Sequence, residues 1–401
     1  MNLQFSAQHE AFREEVRAFL REHLTEEIVR RTHVGMHPPC EDERRWWNRV
    51  LGEKGWSAPQ WPKEYGGPGW DPICQHIFEY ECRAAGAPEL RWQGLRLIGP
   101  VIYTFATPEQ KARYLPEILM GSHMWAQGFS EPGAGSDLAS LKTTAVLDGD
   151  HYVLNGQKLW TSELQYCERG FFLVRTDSTV KPQKGISMIV IDDMNAPGIT
   201  TRLTTLINGA EATGEVFLDN VRVPKENLIG LPNTGWDQAK FLLTNERTSS
   251  AEIYKALVDL HRIHDIASHE RKNGKPLLED PEFSSRLARI TVEVQALEWS
   301  VLRVLCNAPS RHSVDARASV LKIRGSELQQ KIAELAVDAL GQRSLRLYLR
   351  EEGFAETGAN PLWPGYVPGI TGDLMYTRAY TIFGGAKEVQ KNIIAKMAFG
   401  L

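Results

Sequence analysis

The segment Trp125-Ala126-Gln127-Gly128-Phe129-Ser130-Glu131-Pro132-Gly133-Ala134-Gly135-Ser136-Asp137 divides the chain: apolar residues recur with a helical period before it and with a period of two after it. Its three glycines and one proline exclude a helix or a regular strand, so the backbone here is a loop that another group approaches closely. Bare N–H groups and the hydroxyls of Ser130 and Ser136 offer donors to a flat, polar ligand, and Phe129 and Trp125 offer apolar or stacking surface. An ordinary surface turn has the same composition. The choice between the two depends on what surrounds the loop.

Upstream, Phe12, Val16, Phe19 and Leu20 set an amphipathic helix with Ser6 as its N-cap. Trp46, Trp47 and Trp56 lead into Trp61-Pro62-Lys63-Glu64-Tyr65-Gly66-Gly67; with no basic surround, these rings predict a core cluster rather than a base-stacking platform. Further helices are predicted over about 72–85, 98–105 and 107–119, the last with Thr107 as cap and Pro108 in its first turn. From Trp125 to about Pro232, Asp148-Gly149 and Asn155-Gly156 are hairpin signals, and 171–174, 186–191 and 215–218 are strand-like runs. Helical patterns return over about 236–273, 281–307, 313–340 and 372–398, with Asp280-Pro281 as a cap and first-turn proline and a Gly- and Pro-rich loop over 353–372. The expected fold is α+β: an N-terminal helical domain over 1–122, a middle antiparallel β-barrel domain over 123–232 and a C-terminal four-helix bundle domain over 233–401.

Bulk properties narrow the function. A 401-residue chain that is 42% apolar and 24% charged is globular and long enough for two or three domains. A net charge of −4 gives no global field for nucleic acid, but leaves room for local basic patches. Five cysteines without metal spacing and no apolar run of membrane-spanning length point to a reduced cytoplasm and to no membrane partner.

Two more motifs accompany the loop: Gln157-Lys158-Leu159-Trp160-Thr161-Ser162, and Tyr380-Thr381-Ile382-Phe383-Gly384-Gly385-Ala386-Lys387-Glu388-Val389-Gln390. Together with Glu131 to Asp137 they resemble the acyl-CoA dehydrogenase family, flavoenzymes that oxidise acyl-CoA thioesters to enoyl-CoA. Within it the chain is similar to the large subunit of bacterial pimeloyl-CoA dehydrogenase and to the heteromeric dehydrogenases of steroid degradation. The resemblance implies FAD as cofactor, held between the barrel and the C-terminal bundle, an acyl-CoA substrate and an electron-transfer flavoprotein as acceptor. It implies flavin contacts from Gln127, Phe129, Ser130, Gly135 and Ser136, with Trp160 flanking the ring, Thr161 beside it and the Ser162 hydroxyl near the hydride-accepting nitrogen. Ser136, Arg247 and Gly384 would also meet the substrate.

Oxidation beside a thioester needs a base for the α proton, a hydride acceptor and donors for the enolate-like oxygen; no side chain accepts hydride, so a flavin has to. Family members carry the base either on the loop before the last helix or one position before an arginine on the first helix of the C-terminal bundle. Here the loop position is Gly384, whereas the helix reads Thr244-Asn245-Glu246-Arg247-Thr248. The resemblance therefore makes Glu246 the base and Arg247 the arginine that shapes its pocket, with the Gly384 N–H on the thioester oxygen. A solvated helix glutamate is the plain alternative. Against it, Ala239, Leu242 and Leu243 form an apolar stripe with Glu246 at the next step, where desolvation strengthens a carboxylate as a base.

Three departures fall at the family's adenylate half-site. Arg271 matches its arginine, but the glutamine expected downstream is missing and Pro281 lies near that place. The Gln-x-x-Gly-Gly element reads Asp338-Ala339-Leu340-Gly341-Gln342, and the last motif has Ala386 for threonine, two positions before Glu388. With Arg271, Gly341, Ala386 and Glu388 as what remains of that half-site, the expectation is an α2β2 heterotetramer with a second acyl-CoA dehydrogenase-like subunit; a homotetramer is the alternative. A non-catalytic scaffold subunit, and an acyl-CoA oxidase or flavin monooxygenase on the same fold, are the competing functions. The acyl group expected is bulky, steroid-derived or dicarboxylic.

Overall fold

The computed structural model describes residues 4–32, 41–90, 92–249, 251–307, 316–349 and 364–401, apart from the side chains of 31–32 and 244–249. The N-terminal part consists of helices α1 (Ala7–His23), α2 (Glu26–Thr32), α3 (Glu41–Lys54), α4 (Pro72–Ala84), α5 (Gly99–Phe105) and α6 (Pro108–Met120). Ser6 caps α1 by accepting from the His9 N–H, and Thr107 with Gln110 closes a reciprocal capping box on α6. The tryptophans are core, as expected: Trp47 and Trp56 are buried, and Trp56 lies 5.4 Å from Trp70, edge to face. The sequence pattern starts α5 at Ile98, but a π-helical turn over Gln93–Ile98 precedes it. Its following residue, Gly99, lies against the Trp61 ring, where a Cβ would come within 2.2 Å.

The middle part is one curled sheet of β1 (Trp125–Gly128), β2 (Thr144–Asp148), β3 (His151–Ser162), β4 (Arg169–Arg175), β5 (Ile186–Ile191), β6 (Ile199–Thr204) and β7 (Thr213–Pro224). The order is β1-β4-β2-β3-β7-β6, with β5 also on β4. The expected antiparallel pairs are present, and β1 and β2 add parallel contacts to β4. Asp148-Gly149 turns the β2–β3 hairpin as read from sequence. Asn155-Gly156 does not turn the chain: it sits inside β3 at a bulge, where Gly156 has φ 152° and a Cβ would strike Thr143.

The C-terminal part comprises α7 (Gly235–Ser249), α8 (Ile253–His269), α9 (Pro281–Asn307), α10 (Ala316–Leu340), α11 (Ile370–Thr377) and α12 (Lys387–Phe399). Two expected helices are divided. The 236–273 pattern breaks between α7 and α8 because α10 comes too close for a continuous helix. Gly325 packs on the Ala251 carbonyl, 2.3 Å from where a Cβ would be, and Glu252 takes φ 49°. Past α8 the chain forms a small hairpin, β8 (Arg271–Lys272) with β9 (Lys275–Pro276), turned by Asn273 and Gly274 at positive φ. The 372–398 pattern is broken by Gly384 and Gly385 at φ 64° and 90°. Most of the loop expected over 353–372 lies outside the described residues.

One apolar cluster joins these parts: Trp61, Ile98 and Ile118 from the N-terminal helices, Trp125 and Phe171 from the sheet, and Ala239 and Leu242 from α7. The surface between sheet and helices is therefore fixed by shared packing.

Candidate active site

The glycine-rich loop is held from beneath by a buried ion pair. The Glu131 carboxylate accepts from Lys158 Nζ at 2.8 Å, the Lys142 N–H at 2.6 Å and the Thr143 N–H at 2.9 Å, and Lys158 also donates to the Phe129 carbonyl at 3.2 Å. Burial pushes Glu131 up, but Lys158 and the Thr143 and Lys142 donors outweigh it and hold the carboxyl below its ordinary range. Burial pulls Lys158 down to about 8 against the attraction of Glu131, so the carboxylate is the fixed charge of the pair and the lysine the member that can lose its own. Above this pair, Glu131 and Ala134 exchange N–H to carbonyl bonds of 3.0 Å, closing Pro132-Gly133 into a tight turn. The pair was not singled out in the sequence, where Glu131 and Lys158 read as ordinary charges 27 positions apart.

Second, the loop is pinned to β3. The Leu159 N–H donates to the Ser130 carbonyl at 2.9 Å, and the Thr161 hydroxyl to the Gln127 carbonyl at 3.4 Å. Gln127, Phe129, Ser130, Trp160, Thr161 and Ser162 are thereby brought together, with Gly135 and Ser136 exposed at the end of the loop. Trp160 is 57% exposed at φ 64°, so its ring stands on the surface of this site. Trp125 and Phe129, expected to offer stacking surface, do not: both are buried, edge-on to Tyr114 and Phe171 respectively, because β1 turns these side chains into the shared core. What Phe129 presents is backbone. Among the described residues, the N–H groups of Ser130, Gly135 and Ser136 and the hydroxyls of Ser130, Ser136 and Ser162 bond to no other part of the chain. A row of unsatisfied donors beside an exposed indole fits a flat ring rich in acceptors, as a flavin is.

On the C-terminal side, Ala239 and Leu242 are buried as the stripe on α7 requires, and α7 packs on β5, α5 and the π-helical turn. Glu246 and Arg247 lie on this helix, and their side chains are outside the described residues. Gly384 is half-buried at φ 64°; its carbonyl accepts weakly from Gln390 Nε2 at 3.4 Å, and its N–H has no partner among the described residues. Ala386 occupies the N-cap of α12 with no side-chain cap, and Glu388 is exposed in its first turn. Arg271 is exposed on the β8–β9 hairpin and donates to the Gly274 carbonyl at 3.2 Å. Gly341 is exposed at φ 55° just past α10, and Asp338 pairs with Arg286 at 2.7 Å. Among the described residues no hydrogen bond or ion pair ties Arg271, Gly341 or Ala386 to the Gln127–Ser136 loop.

Comparisons with known proteins agree with this fold. Models of the acyl-CoA dehydrogenase N-terminal, middle and C-terminal domains match residues 6–122, 126–221 and 233–399. Acyl-CoA dehydrogenase IpdE1 of Mycobacterium tuberculosis is 32% identical over 396 residues, covering 98% of this chain and 97% of the relative. The crystal structure of the ChsE4–ChsE5 complex from Mycobacterium tuberculosis contains a chain 31% identical with a TM-score of 0.82, covering 100% of this chain and 99% of that one. The glutaryl-coenzyme A dehydrogenase glutaryl-CoA complex is 27% identical with a TM-score of 0.81, covering 100% and 97%. Helices, curled sheet and helical bundle around a donor-lined loop define a flavoprotein oxidoreductase of the acyl-CoA-oxidising kind. The chain belongs to the acyl-CoA dehydrogenase family. Among the described residues no helix is long and apolar enough to cross a membrane.

Proposed function

We propose that this chain converts an acyl-CoA to its trans-2-enoyl-CoA, with Glu246 taking the α proton. The observation that carries this reading is the N–H of Gly384, which has no partner among the described residues and sits in a left-handed backbone that glycine adopts without strain. An N–H in that state is a ready donor to a thioester oxygen gaining negative charge. Because residue 384 has no side chain, the base has to come from elsewhere, and Glu246 on α7 supplies it beside Arg247. Ser130, Gly135, Ser136, Thr161 and Ser162, with Gln127 and the Phe129 backbone, would hold FAD, and Trp160 would cover an edge of its ring. Bound FAD supplies the acceptor for the β hydride. We assign the N-terminal, middle and C-terminal domains to 1–122, 123–232 and 233–401.

Glu246→Gln should keep flavin bound yet lose at least ~10³-fold in turnover, since a general base is removed while the cofactor contacts remain. Near-normal enoyl-CoA formation by this variant, followed with an artificial electron acceptor, would overturn the assignment. An electron-transfer flavoprotein is the proposed physiological acceptor, and bacterial breakdown of bulky, steroid-derived or dicarboxylic acyl groups in the cytoplasm the proposed setting. The glutaryl-CoA complex among the similar structures supports the dicarboxylic part of this reading.

A further inference from the structure

The start of α1 meets the start of α4, and three different metal-ligating side chains converge there. His9, in the first turn of α1, places Nε2 3.1 Å from Asp71 Oδ2. Asp71 is the N-cap of α4, and its other oxygen is fixed by accepting from the Cys74 N–H at 2.8 Å. One ligand atom from each of His9, Asp71 and Cys74 lies within 4.8 Å of the other two. A tetrahedral zinc, with bonds of about 2.0–2.3 Å, sets its ligand atoms about 3.3–3.8 Å apart. Small side-chain rotations therefore close this set around an ion. The cysteines show no metal spacing along the sequence; only the fold brings these donors together.

Two neighbours complete the arrangement. The Ser6 hydroxyl lies 2.9 Å from His9 Nδ1. With Nδ1 protonated and donating to Ser6, the Nε2 lone pair is presented to a metal, which is how outer-shell partners orient ligating histidines. Cys306, exposed in the last turn of α9, is within electrostatic reach of Asp71. Helix α9 is held beside α4 nearby, where His76 Nε2 lies 3.2 Å from Glu298 Oε1.

We propose that His9 Nε2, one Asp71 oxygen and the thiolates of Cys74 and Cys306 form a structural zinc site. Imidazole with thiolate suits a zinc-class ion, whereas magnesium and calcium take oxygen donors. Both thiols give up their protons to solvent as the ion binds. The metal ties α1 and α4 of the N-terminal part to α9 of the C-terminal part. The site shares no residue with the flavin loop or with α7, so it stands independently of the dehydrogenase reading.

Zinc and cobalt binding to the tag-free holoenzyme test this. Stripped with a chelator and dialysed against zinc, the protein should retain close to one zinc per chain by atomic emission. Zinc should also raise its Tm, and Cys74→Ser should abolish the rise. His9→Ala should weaken zinc binding at least ~100-fold, and Ser6→Ala by roughly 10-fold, the cost of losing an outer-shell partner. Cobalt(II) in place of zinc should give a thiolate-to-cobalt charge-transfer band that weakens in Cys306→Ser at saturating cobalt. Zinc well below one per chain, a cobalt complex with no thiolate band, or a Tm raised equally in Cys74→Ser would overturn the proposal. A band unchanged in Cys306→Ser would overturn the four-ligand assignment. The wild-type zinc content and cobalt spectrum decide even where a variant fails to fold.

Discussion

Replacing Lys158 by methionine would leave Glu131 buried with its two backbone donors and no ion-pair partner in contact. Removing one member of a buried ion pair costs about 3–5 kcal/mol, and Lys158→Met should lose stability on that scale in urea unfolding, with flavin loss following as the loop above it loosens. A loss under 1 kcal/mol would show that the backbone donors alone hold the carboxylate. The same pair has a pH signature. The folded state holds Glu131 below its ordinary range, so the stabilisation is present above the unfolded value of 4.5 and is lost as pH falls through the depressed folded value. Glu131→Gln should flatten that acid limb. Residue chemistry of this kind was only partly legible in the sequence. Ser130 and Ser136 stand out as potential donors from their own loop, but Lys158 becomes informative only once β3 folds back under Phe129.

At the scale of elements, legibility followed locality. Caps at Ser6, Thr107 and Asp280 are set by side chains within one turn, and each lies where the sequence put it. Asn-Gly pairs were less reliable, because the same dipeptide serves a bulge at Asn155-Gly156 and a turn at Asn273-Gly274; the partner strand decides which. The break after α7 depends on Gly325, more than 70 residues away, so helical periodicity could not show it. Helix α12 gives a test. Ala386 at its N-cap leaves the first-turn N–H groups without a side-chain acceptor. Ala386→Thr should therefore stabilise the protein by about 1 kcal/mol, seen as a raised Tm; an unchanged Tm would mean that water or a bound group already satisfies those donors.

For the whole molecule, the departures near Pro281, at Asp338 and at Ala386 bear on assembly. A homotetramer would leave the far end of each flavin poorly held, whereas a partner subunit with an intact half-site would complete it across the interface. Co-expression with such a partner should give an α2β2 heterotetramer with two flavins; the chain expressed alone should be flavin-poor or poorly soluble, since a ligand bound at an interface stabilises that interface. Native mass and flavin content decide this, and a homotetramer of the single chain carrying four tight flavins would end the idea.

The apolar cluster shared by Trp61, Ile118, Phe171 and Leu242 also sets a timetable for the nascent chain. The N-terminal helices leave the ribosome with one apolar face that only later residues cover. Translation from Ile118 to Leu242 takes on the order of ten seconds at bacterial rates. Throughout that interval the exposed face is a substrate for holdase chaperones, and slow codons in the stretch encoding the sheet would lengthen its exposure.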